Sequence, residues 1–214
     1  MGFGKVEMFR VLASLSLIVQ KSRWLSRVYW LAKYIWKDPY EVGETAHGRY
    51  LDVLSMIPAE AQTNVLELGC GEGIFTALLA DRAVRITASD ISMTAIHRAK
   101  KRLRGRSNVQ CCVQNLCNDP LCEDEYSIVI CMELLYYLPY DSLNECIAKI
   151  YRAVARGGYL LLEHRRERPQ DGGLFTIPFG AETIHTRLKK LGPVICVREL
   201  DRSRYLLSLF KRIE

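Results

Sequence analysis

The sequence predicts an α/β fold in which a mostly parallel, seven-stranded sheet carries helices on both faces and ends in an antiparallel hairpin. Two observations lead to this prediction. From Asn64 onward, short apolar runs alternate with segments of helical period, a pattern typical of parallel sheets covered by helices. Farther along, residues 194–200 and 205–211 read as two strands separated only by residues 201–204, which predicts a hairpin.

The elements follow in chain order from hydrophobic period and turn residues. The predicted strands cover residues 65–68, 83–89, 109–113, 126–131, 159–163, 194–200 and 205–211. The predicted helices cover residues 74–82, 92–104, 141–155 and 181–191. Gly157 and Gly158 are expected to end the third of these helices, because glycine commonly follows a helix C-terminus.

The most informative segment is the glycine loop, residues 69–73, with the sequence Gly-Cys-Gly-Glu-Gly. Glycine is needed where φ is positive or where a ligand lies against the main chain. A dinucleotide-binding loop has the spacing G-x-G-x-x-G, and a P-loop needs Lys followed by Ser or Thr; this loop has neither. The acids Glu67 and Glu72 are also expected to repel a pyrophosphate. The alternative is a plain glycine-rich turn from strand to helix that binds no ligand.

Polar residues follow the next two predicted strands. Asp90 ends the second strand about 20 residues after Gly69, where a carboxylate can accept the hydroxyls of a ribose. The alternative is that Asp90 caps the following helix, although Ser92 is placed to do so instead. Asn115 follows the third strand and retains an acceptor oxygen. The carboxyl ends of these strands are therefore expected to form a nucleoside-binding edge.

With the segment Met-Glu-Leu-Leu-Tyr-Tyr-Leu at residues 132–138, these motifs resemble the class I methyltransferases that use S-adenosylmethionine (SAM). The segment 67–73 fits the family's E/D-x-G-x-G-x-G loop at every fixed position, and the resemblance covers residues 64–214. Asp-Pro-Tyr at residues 38–40 and Glu-Leu-Leu-Tyr-Tyr-Leu at residues 133–138 are similar to the nodulation N-methyltransferases of the NodS type. In that type the acceptor is the amino group of a glucosamine residue on a chitin oligomer.

The resemblance implies a Rossmann-like methyltransferase fold, SAM as cofactor and a small-molecule acceptor. It places the SAM contacts on the glycine loop and at the ends of the next three strands. The residues expected to contact SAM are Glu67, Gly69, Cys70, Gly71, Gly73, Asp90, Ile91, Asn115, Leu116 and Met132. The family usually has Asp where this chain has Asn115, and that position reads the adenine amino group.

Methyl transfer is a displacement at a sulfonium, so the protein mainly aligns donor and acceptor. An acceptor amine must be neutral, and a general base therefore helps. The candidate bases are Glu133, after the fourth strand, and His164, after the fifth. The alternatives are a helix N-terminal acid for Glu133 and an exposed, inactive His164. Candidate acceptor-binding residues are Tyr40, His47, Arg49, Tyr136 and Tyr137, although the last two tyrosines are equally suited to a core.

Length and charge set further bounds. The 214 residues, 49% of them hydrophobic, suit one domain with a single core. We divide it into a helical N-terminal extension, residues 1–62, and a SAM-binding catalytic part, residues 63–214. Residues 1–37 hold seven basic residues and one acid, which accounts for the whole net charge of +6. The rest of the chain, residues 38–214, holds 23 basic and 23 acidic residues, so a nucleic-acid partner is not expected.

Residues 1–36 contain two runs of helical hydrophobic period. We expect these helices to pack on the sheet edge or to cover the active site. Their basic and tryptophan residues also suit peripheral contact with a membrane surface, and a dimer contact is a third alternative, so the protein is expected to be a monomer or a homodimer. The apolar run at residues 11–19 is too short to span a bilayer, and no signal-peptide cleavage site follows it.

The eight cysteines include no C-x-x-C pair, so no metal site is expected. Cys111, Cys112, Cys131 and Cys196 fall in strands that are predicted to be buried, and Cys146 falls in a helix. Most are therefore expected to be free thiols in a reducing cytoplasm. A disulfide between Cys117 and Cys122, which share a loop, is the alternative.

The sequence therefore predicts a cytoplasmic methyltransferase acting on a small molecule, with N-methylation slightly favoured over O-methylation. Two alternatives remain. The fold can use SAM for another reaction, such as a cyclisation, or the protein can bind SAM or a partner without turnover.

Overall fold

The computed structural model describes residues 44–166 and 179–213, and of residues 44–47 it describes the backbone alone. The predicted helices within residues 1–36, the segment 38–40 and the side chain of His47 lie outside the described residues. The division of the chain at residue 62 therefore stays a prediction.

Five α-helices and seven strands make up the described part of the chain. The helices are α1 (Glu44–Met56), α2 (Ile74–Leu79), α3 (Met93–Arg102), α4 (Leu143–Ala153) and α5 (Ala181–Leu191). The strands are β1 (Asn64–Leu68), β2 (Arg85–Asp90), β3 (Val109–Val113), β4 (Tyr126–Met132), β5 (Val154–Arg165), β6 (Val194–Asp201) and β7 (Tyr205–Arg212). None of these helices is long and apolar enough to cross a membrane.

The strands form one sheet in the order β3-β2-β1-β4-β5-β7-β6. Strands β1 to β5 run parallel, whereas β7 lies antiparallel between β5 and β6. The predicted seven-stranded, mostly parallel sheet with a C-terminal hairpin is confirmed. The strand order reverses between β1 and β4, which is where ligands bind in sheets of this kind.

The boundary between α4 and β5 differs from the prediction. The helix ends at Ala153 and the strand begins at once, so Gly157 and Gly158 lie within the strand instead of ending the helix. The pairing of β5 with β4 is irregular between two residue pairs: Val154 lies opposite Tyr126, and Tyr159 lies opposite Ile128. Gly157 lies in it at a φ of 73°, a backbone conformation that favours glycine. The two glycines therefore shape a bulge.

The hydrophobic core has a layer on each face of the sheet. On one face, side chains of α4 and α5 pack against β4, β5 and β7. On the other face, Val53 and Leu54 of α1 and Phe75 and Leu79 of α2 pack together with residues of β1, β2 and β4. Helices therefore cover both faces, and α1 belongs to the same core as the sheet.

All eight cysteines are free thiols. Cys70, Cys131 and Cys146 are buried, but Cys111, Cys112 and Cys196 are only half-buried. The prediction of burial was wrong for these three because β3 and β6 are the two edges of the sheet. The Cys117 thiol lies 3.8 Å from that of Cys146, and the alternative disulfide between Cys117 and Cys122 is not formed. Within the described residues, no group of three or more His, Cys, Asp or Glu side chains is arranged to hold a metal ion.

The C-terminal hairpin fixes the position of α1. The Arg202 guanidinium donates two hydrogen bonds to the Asp52 carboxylate, at 3.0 and 3.1 Å. The Tyr205 hydroxyl donates a third, at 2.8 Å, and Arg198 donates to the Ser55 carbonyl at 2.9 Å. One turn before Asp52, α1 carries Arg49, which these contacts hold beside the ends of β4 and β5.

Candidate active site

The predicted site residues converge on the carboxyl edge of the parallel strands. The glycine loop follows β1, Asp90 ends β2, Asn115 follows β3, and Glu133 follows β4. Because β1 to β5 are parallel and adjacent, these positions share one edge of the sheet. Arg49 reaches the same edge from α1, with its guanidinium in contact with Glu133.

The glycine loop is built on three left-handed glycines. Gly69, Gly71 and Gly73 have φ values of 74°, 54° and 75°. The N–H groups of Gly69 and Cys70 both donate to the Ser89 carbonyl, at 2.8 and 2.9 Å, and this ties the loop to β2. A side chain at Gly69 would also approach Leu134 to 3.3 Å. The backbone path therefore demands glycine, and contacts within the protein hold it in place.

The Asp90 carboxylate is held by two backbone donors. Gly71 N–H donates to one oxygen at 3.0 Å, and Ser92 N–H donates to the other at 2.8 Å. A carboxylate has about four acceptor positions, so two remain for a ligand's hydroxyl groups. Burial raises the pKa of Asp90 to about 6, against the lowering effect of the two N–H donors.

The alternative role of Asp90 as helix cap is wrong. Ser92 is the N-cap of α3, and its hydroxyl accepts from Ala95 N–H at 3.2 Å. Asp90 is therefore free to serve the glycine loop and a ligand.

The residues expected to contact adenine lie on the same edge of the sheet but are less accessible to a ligand. Asn115 is buried, and its side-chain oxygen already accepts from Cys117 N–H at 3.0 Å, which leaves one acceptor position for a ligand. Leu116 is buried in the core layer of α4 and α5. Ile91 and Tyr137 both pack against Ala95. Contact between these residues or Met132 and a cofactor stays a prediction.

The two acids of the glycine-loop motif have protein partners. Glu67 is buried below the loop, where one oxygen accepts from the Thr76 hydroxyl at 2.7 Å. Glu72 pairs with Arg98 at 2.5 Å and with Arg102 at 4.0 Å. The expectation that the charge of Glu72 repels a pyrophosphate is therefore wrong, since arginines neutralise it. The glycine spacing alone still disfavours a dinucleotide.

Glu67→Gln should change how stability depends on pH. Burial raises the pKa of Glu67 to about 7, against the lowering effect of the Thr76 hydrogen bond. The folded state therefore favours the protonated acid, and its stabilising effect, complete below the unfolded pKa, disappears as pH rises from about 4.5 to 7. The variant should gain up to about 3 kcal/mol relative to wild type over this interval. Urea unfolding at several pH values, with the exposed Glu145→Gln as control, measures this difference; a difference independent of pH contradicts it.

Glu133 follows β4 in a left-handed conformation, at a φ of 49°. Such a conformation is uncommon outside glycine and clusters at functional sites. Arg165 donates to one carboxylate oxygen at 2.9 Å, and Arg49 lies 3.3 Å from the same oxygen. Glu133 lies just before a short 3₁₀ helix, Leu135–Tyr137, and the next α-helix begins only at Leu143. The interpretation as the N-terminal acid of an α-helix is therefore not favoured.

Sequence reasoning did not assign a role to Glu163, the residue of β5 that pairs with Met132. Its side chain is completely buried, and its nearest cationic partner is Arg49 at 3.7 Å. Burial, followed by the negative charge of Glu133, raises the pKa of Glu163 to about 8, although Arg49 and Arg165 oppose the shift. The signal was a single acid in the apolar run Leu160-Leu161-Leu162 of an interior strand.

His164 points to the opposite face of β5 and is completely buried, so the expectation of an exposed side chain is wrong. Its Nε2 atom accepts from Leu135 N–H at 3.2 Å, and this occupies the lone pair that a base would use. Burial, with a smaller effect from His185, lowers the pKa of His164 far below its usual value. These contacts give His164 a structural role and do not favour it as the base.

The two tyrosines after β4 differ in their surroundings. Tyr136 is buried in the core layer of α4 and α5, and its ring lies 4.6 Å from that of Tyr137. Burial raises the pKa of Tyr136 far above its usual value, with help from Tyr137 and Glu133. Tyr137 is half-buried. The core interpretation is therefore favoured for Tyr136, and an acceptor-binding role for Tyr137 stays a prediction.

The chain is similar in sequence and in fold to known methyltransferases. The family described as "Methyltransferase domain" matches residues 65–158. Nodulation protein S of Rhizobium tropici is 30% identical over 152 residues, which is 69% of this chain and 62% of that protein. A ubiquinone biosynthesis O-methyltransferase of Nitrosomonas europaea is 28% identical, over 70% of this chain and 64% of that protein. The chain thus spans less than two thirds of the length of these curated relatives.

Among solved structures, N-methyltransferase NodS from Bradyrhizobium japonicum WM9, in complex with S-adenosylhomocysteine, has the same fold. The TM-score is 0.73 at 24% sequence identity, and the match covers 86% of this chain and 96% of that one. Both the sequence motifs and the strand order agree with this likeness. Residues 65–158 therefore match a methyltransferase domain, and the chain resembles the NodS proteins in sequence and in fold.

Proposed function

We propose that this protein transfers a methyl group from SAM to a small-molecule acceptor, with an amine favoured over a hydroxyl. The observation that carries the proposal is the Asp90 carboxylate, which the N–H groups of Gly71 and Ser92 hold beside a rigid glycine loop. A carboxylate acceptor held beside a glycine loop suits the hydroxyl groups of a nucleoside ligand that carries no phosphate.

The residues present fit SAM. Asp90 retains acceptor positions for two ribose hydroxyls, and Asn115 retains one for an adenine amino group. The three left-handed glycines set the backbone path of the loop, and a Cβ at Gly69 or Gly73 would press on Leu134 or Ala99. When bound, SAM supplies an activated methyl group, and the protein's task is to align an acceptor and to manage its proton.

The preference for an amine rests on the likeness to NodS in both sequence and fold. The similarity to a ubiquinone biosynthesis O-methyltransferase keeps a hydroxyl acceptor as the second candidate. Glu133, after β4, supports the proposal as a charged group beside the acceptor position. Arg49 and Tyr137 are the described residues that we expect to contact the acceptor, together with Tyr40 and His47.

Matched pairs of acceptors test the proposal directly. The protein is incubated with methyl-deuterated SAM and a chitin oligomer that carries one free glucosamine amine, and in parallel with the fully N-acetylated oligomer. A phenol and the corresponding aniline form a second pair. We expect deuterated methyl groups on the amine member of at least one pair, detected by mass spectrometry. The Asp90→Ala variant is the control for a contaminating activity.

The other outcomes separate the alternatives. Methylation of the phenol alone would establish O-methylation. A rearranged product without a mass gain, at unchanged SAM, points to a cyclisation or a related reaction. SAM binding without any product across a broad metabolite extract points to a binding protein. The cytoplasmic location, the peripheral membrane contact of residues 1–36 and the choice between monomer and homodimer stay predictions from the sequence.

A further inference from the structure

Four charged side chains meet at the carboxyl ends of β4 and β5. Arg49 of α1 lies 3.3 Å from Glu133 and 3.7 Å from Glu163, and Arg165 lies 2.9 Å from Glu133. We call these four residues the charge cluster. Its positive and negative charges are equal in number when both acids are ionised, so protonation of one acid leaves a net positive charge.

The two acids of the charge cluster are held very differently. One oxygen of Glu133 is fixed by Arg165 and Arg49 together. Glu163 is fully buried, and its only cationic neighbour within 4 Å among the described residues is Arg49 at 3.7 Å, beyond the reach of a well-formed hydrogen bond, so neither oxygen has a close donor. An ionised carboxylate buried without donors is strongly destabilising. Glu163 follows the apolar run Leu160-Leu161-Leu162 near the end of an interior strand. A proton or a cationic ligand would supply the hydrogen-bond donor that its carboxylate lacks.

We propose that Glu163 is the general base that removes a proton from the ammonium form of the acceptor, while Glu133 and Arg49 act as positioning residues. This inference rests on the proposed function and deepens it. An N–H bond of the ammonium breaks and an O–H bond forms on Glu163. The freed nitrogen lone pair forms the new N–C bond as the C–S bond breaks, and that electron pair stays on sulfur. The product leaves as an N-methylammonium ion, and Glu163 returns its proton to solvent.

The surroundings of Glu163 suit this exchange from every element packed against it. The charged groups facing it are Arg49 from α1, Glu133 after β4 and Arg165 on its own strand. Burial, with a smaller contribution from the nearby Glu163, raises the pKa of the Cys131 thiol of β4, so the thiol stays neutral. The paired residue on β7 is the apolar Leu207. A base whose pKa is raised toward that of an amine can both accept its proton and release it again.

Glu163→Gln tests the proposal, because it preserves the shape of the side chain and removes the base. With the amine acceptor that wild type methylates, kcat should fall by about 10² to 10⁴-fold at pH 7. The loss should shrink as pH approaches the pKa of the amine, since free amine then no longer needs a base. SAM affinity, measured by calorimetry, should not change. Glu145→Gln, an exposed exchange on α4, is the matched control.

Glu133→Gln separates positioning from catalysis. Removal of the neighbouring negative charge should lower the pKa of Glu163, so the rising limb of the pH–rate profile should move to lower pH. Carbon-13 NMR of labelled glutamates should show a carboxyl that titrates near pH 8 in wild type and is missing in Glu163→Gln.

The outcomes distinguish this inference from the function on which it rests. Wild-type N-methylation that Glu163→Gln leaves unchanged across the pH range overturns the base and leaves the proposed function intact. Absence of the titrating carboxyl from wild type also overturns the base alone. A wild-type protein that methylates only hydroxyl acceptors, or none, overturns both amine methylation and the base.

Discussion

Asp90→Ala should lower the affinity for SAM by at least about 100-fold, since two hydrogen bonds to a charged group are lost and each contributes about 1.5–3 kcal/mol. The same variant removes the acceptor for Gly71 N–H and Ser92 N–H, so the glycine loop keeps only its hydrogen bonds to the Ser89 carbonyl of β2. Isothermal titration calorimetry with SAM measures the change.

Two controls make this result specific. Asp81→Ala removes an exposed acid that pairs with Arg106 away from the site and should bind SAM as wild type does. Asp90→Asn retains one carbonyl acceptor and should fall between wild type and alanine. Equal affinity in wild type and Asp90→Ala would overturn the assignment of Asp90 to the ribose.

The pH dependence of SAM binding follows from the same carboxylate. Because the pKa of Asp90 is raised to about 6, the ionised form that accepts two hydroxyl protons dominates above this pH. Affinity should therefore fall as pH decreases through about 6. The dependence should be absent from Asp90→Asn, whose side chain does not titrate.

Gly73→Ala should reduce the free energy of unfolding by about 3 kcal/mol, the second large effect. Gly73 precedes α2 at a φ of 75°, and a left-handed conformation costs an alanine about 1–2 kcal/mol. The new Cβ would also lie 3.1 Å from the Cβ of Ala99 and from the Leu103 side chain. Forcing a methyl group into such a contact adds about 1–3 kcal/mol.

Gly105→Ala is the matched control for this second prediction. Gly105 has a φ of 86°, but a Cβ there meets nothing within 4 Å. Its loss of stability should therefore contain the backbone contribution alone, and the difference between the two variants isolates the packing of the loop against α3. Equal losses of unfolding free energy in the two variants, measured with denaturant, would show that α3 moves to accommodate the new methyl group at no free-energy cost.

The local part of the site was predictable from the sequence. The glycine loop, Asp90 and the N-cap Ser92 depend on residues within one strand–loop–helix unit, where turn chemistry and periodicity carry the information. For the same reason β3 and α5 were predicted with the bounds that the structure shows.

The charge cluster was not predictable in the same way. Arg49 and Glu163 are far apart in sequence, and their contact depends on where α1 lies across the sheet. His164 and Glu163 are neighbours in sequence, yet they face opposite sides of β5 because strand side chains alternate. Sequence reasoning chose His164 because imidazole is a common base. Because side chains alternate along β5, however, it is Glu163 that lies beside Arg49.

The hydrogen bonds between Asp52 and the pair Arg202 and Tyr205 have a consequence for how the protein is made. They join residues about 150 positions apart, and contacts between such distant segments form late because a large loop must first close. During synthesis, the glycine loop and Asp90 emerge long before the hairpin that holds α1. A nascent chain can therefore assemble its nucleoside-binding edge first, whereas the placement of Arg49 waits for the last two strands of the sheet.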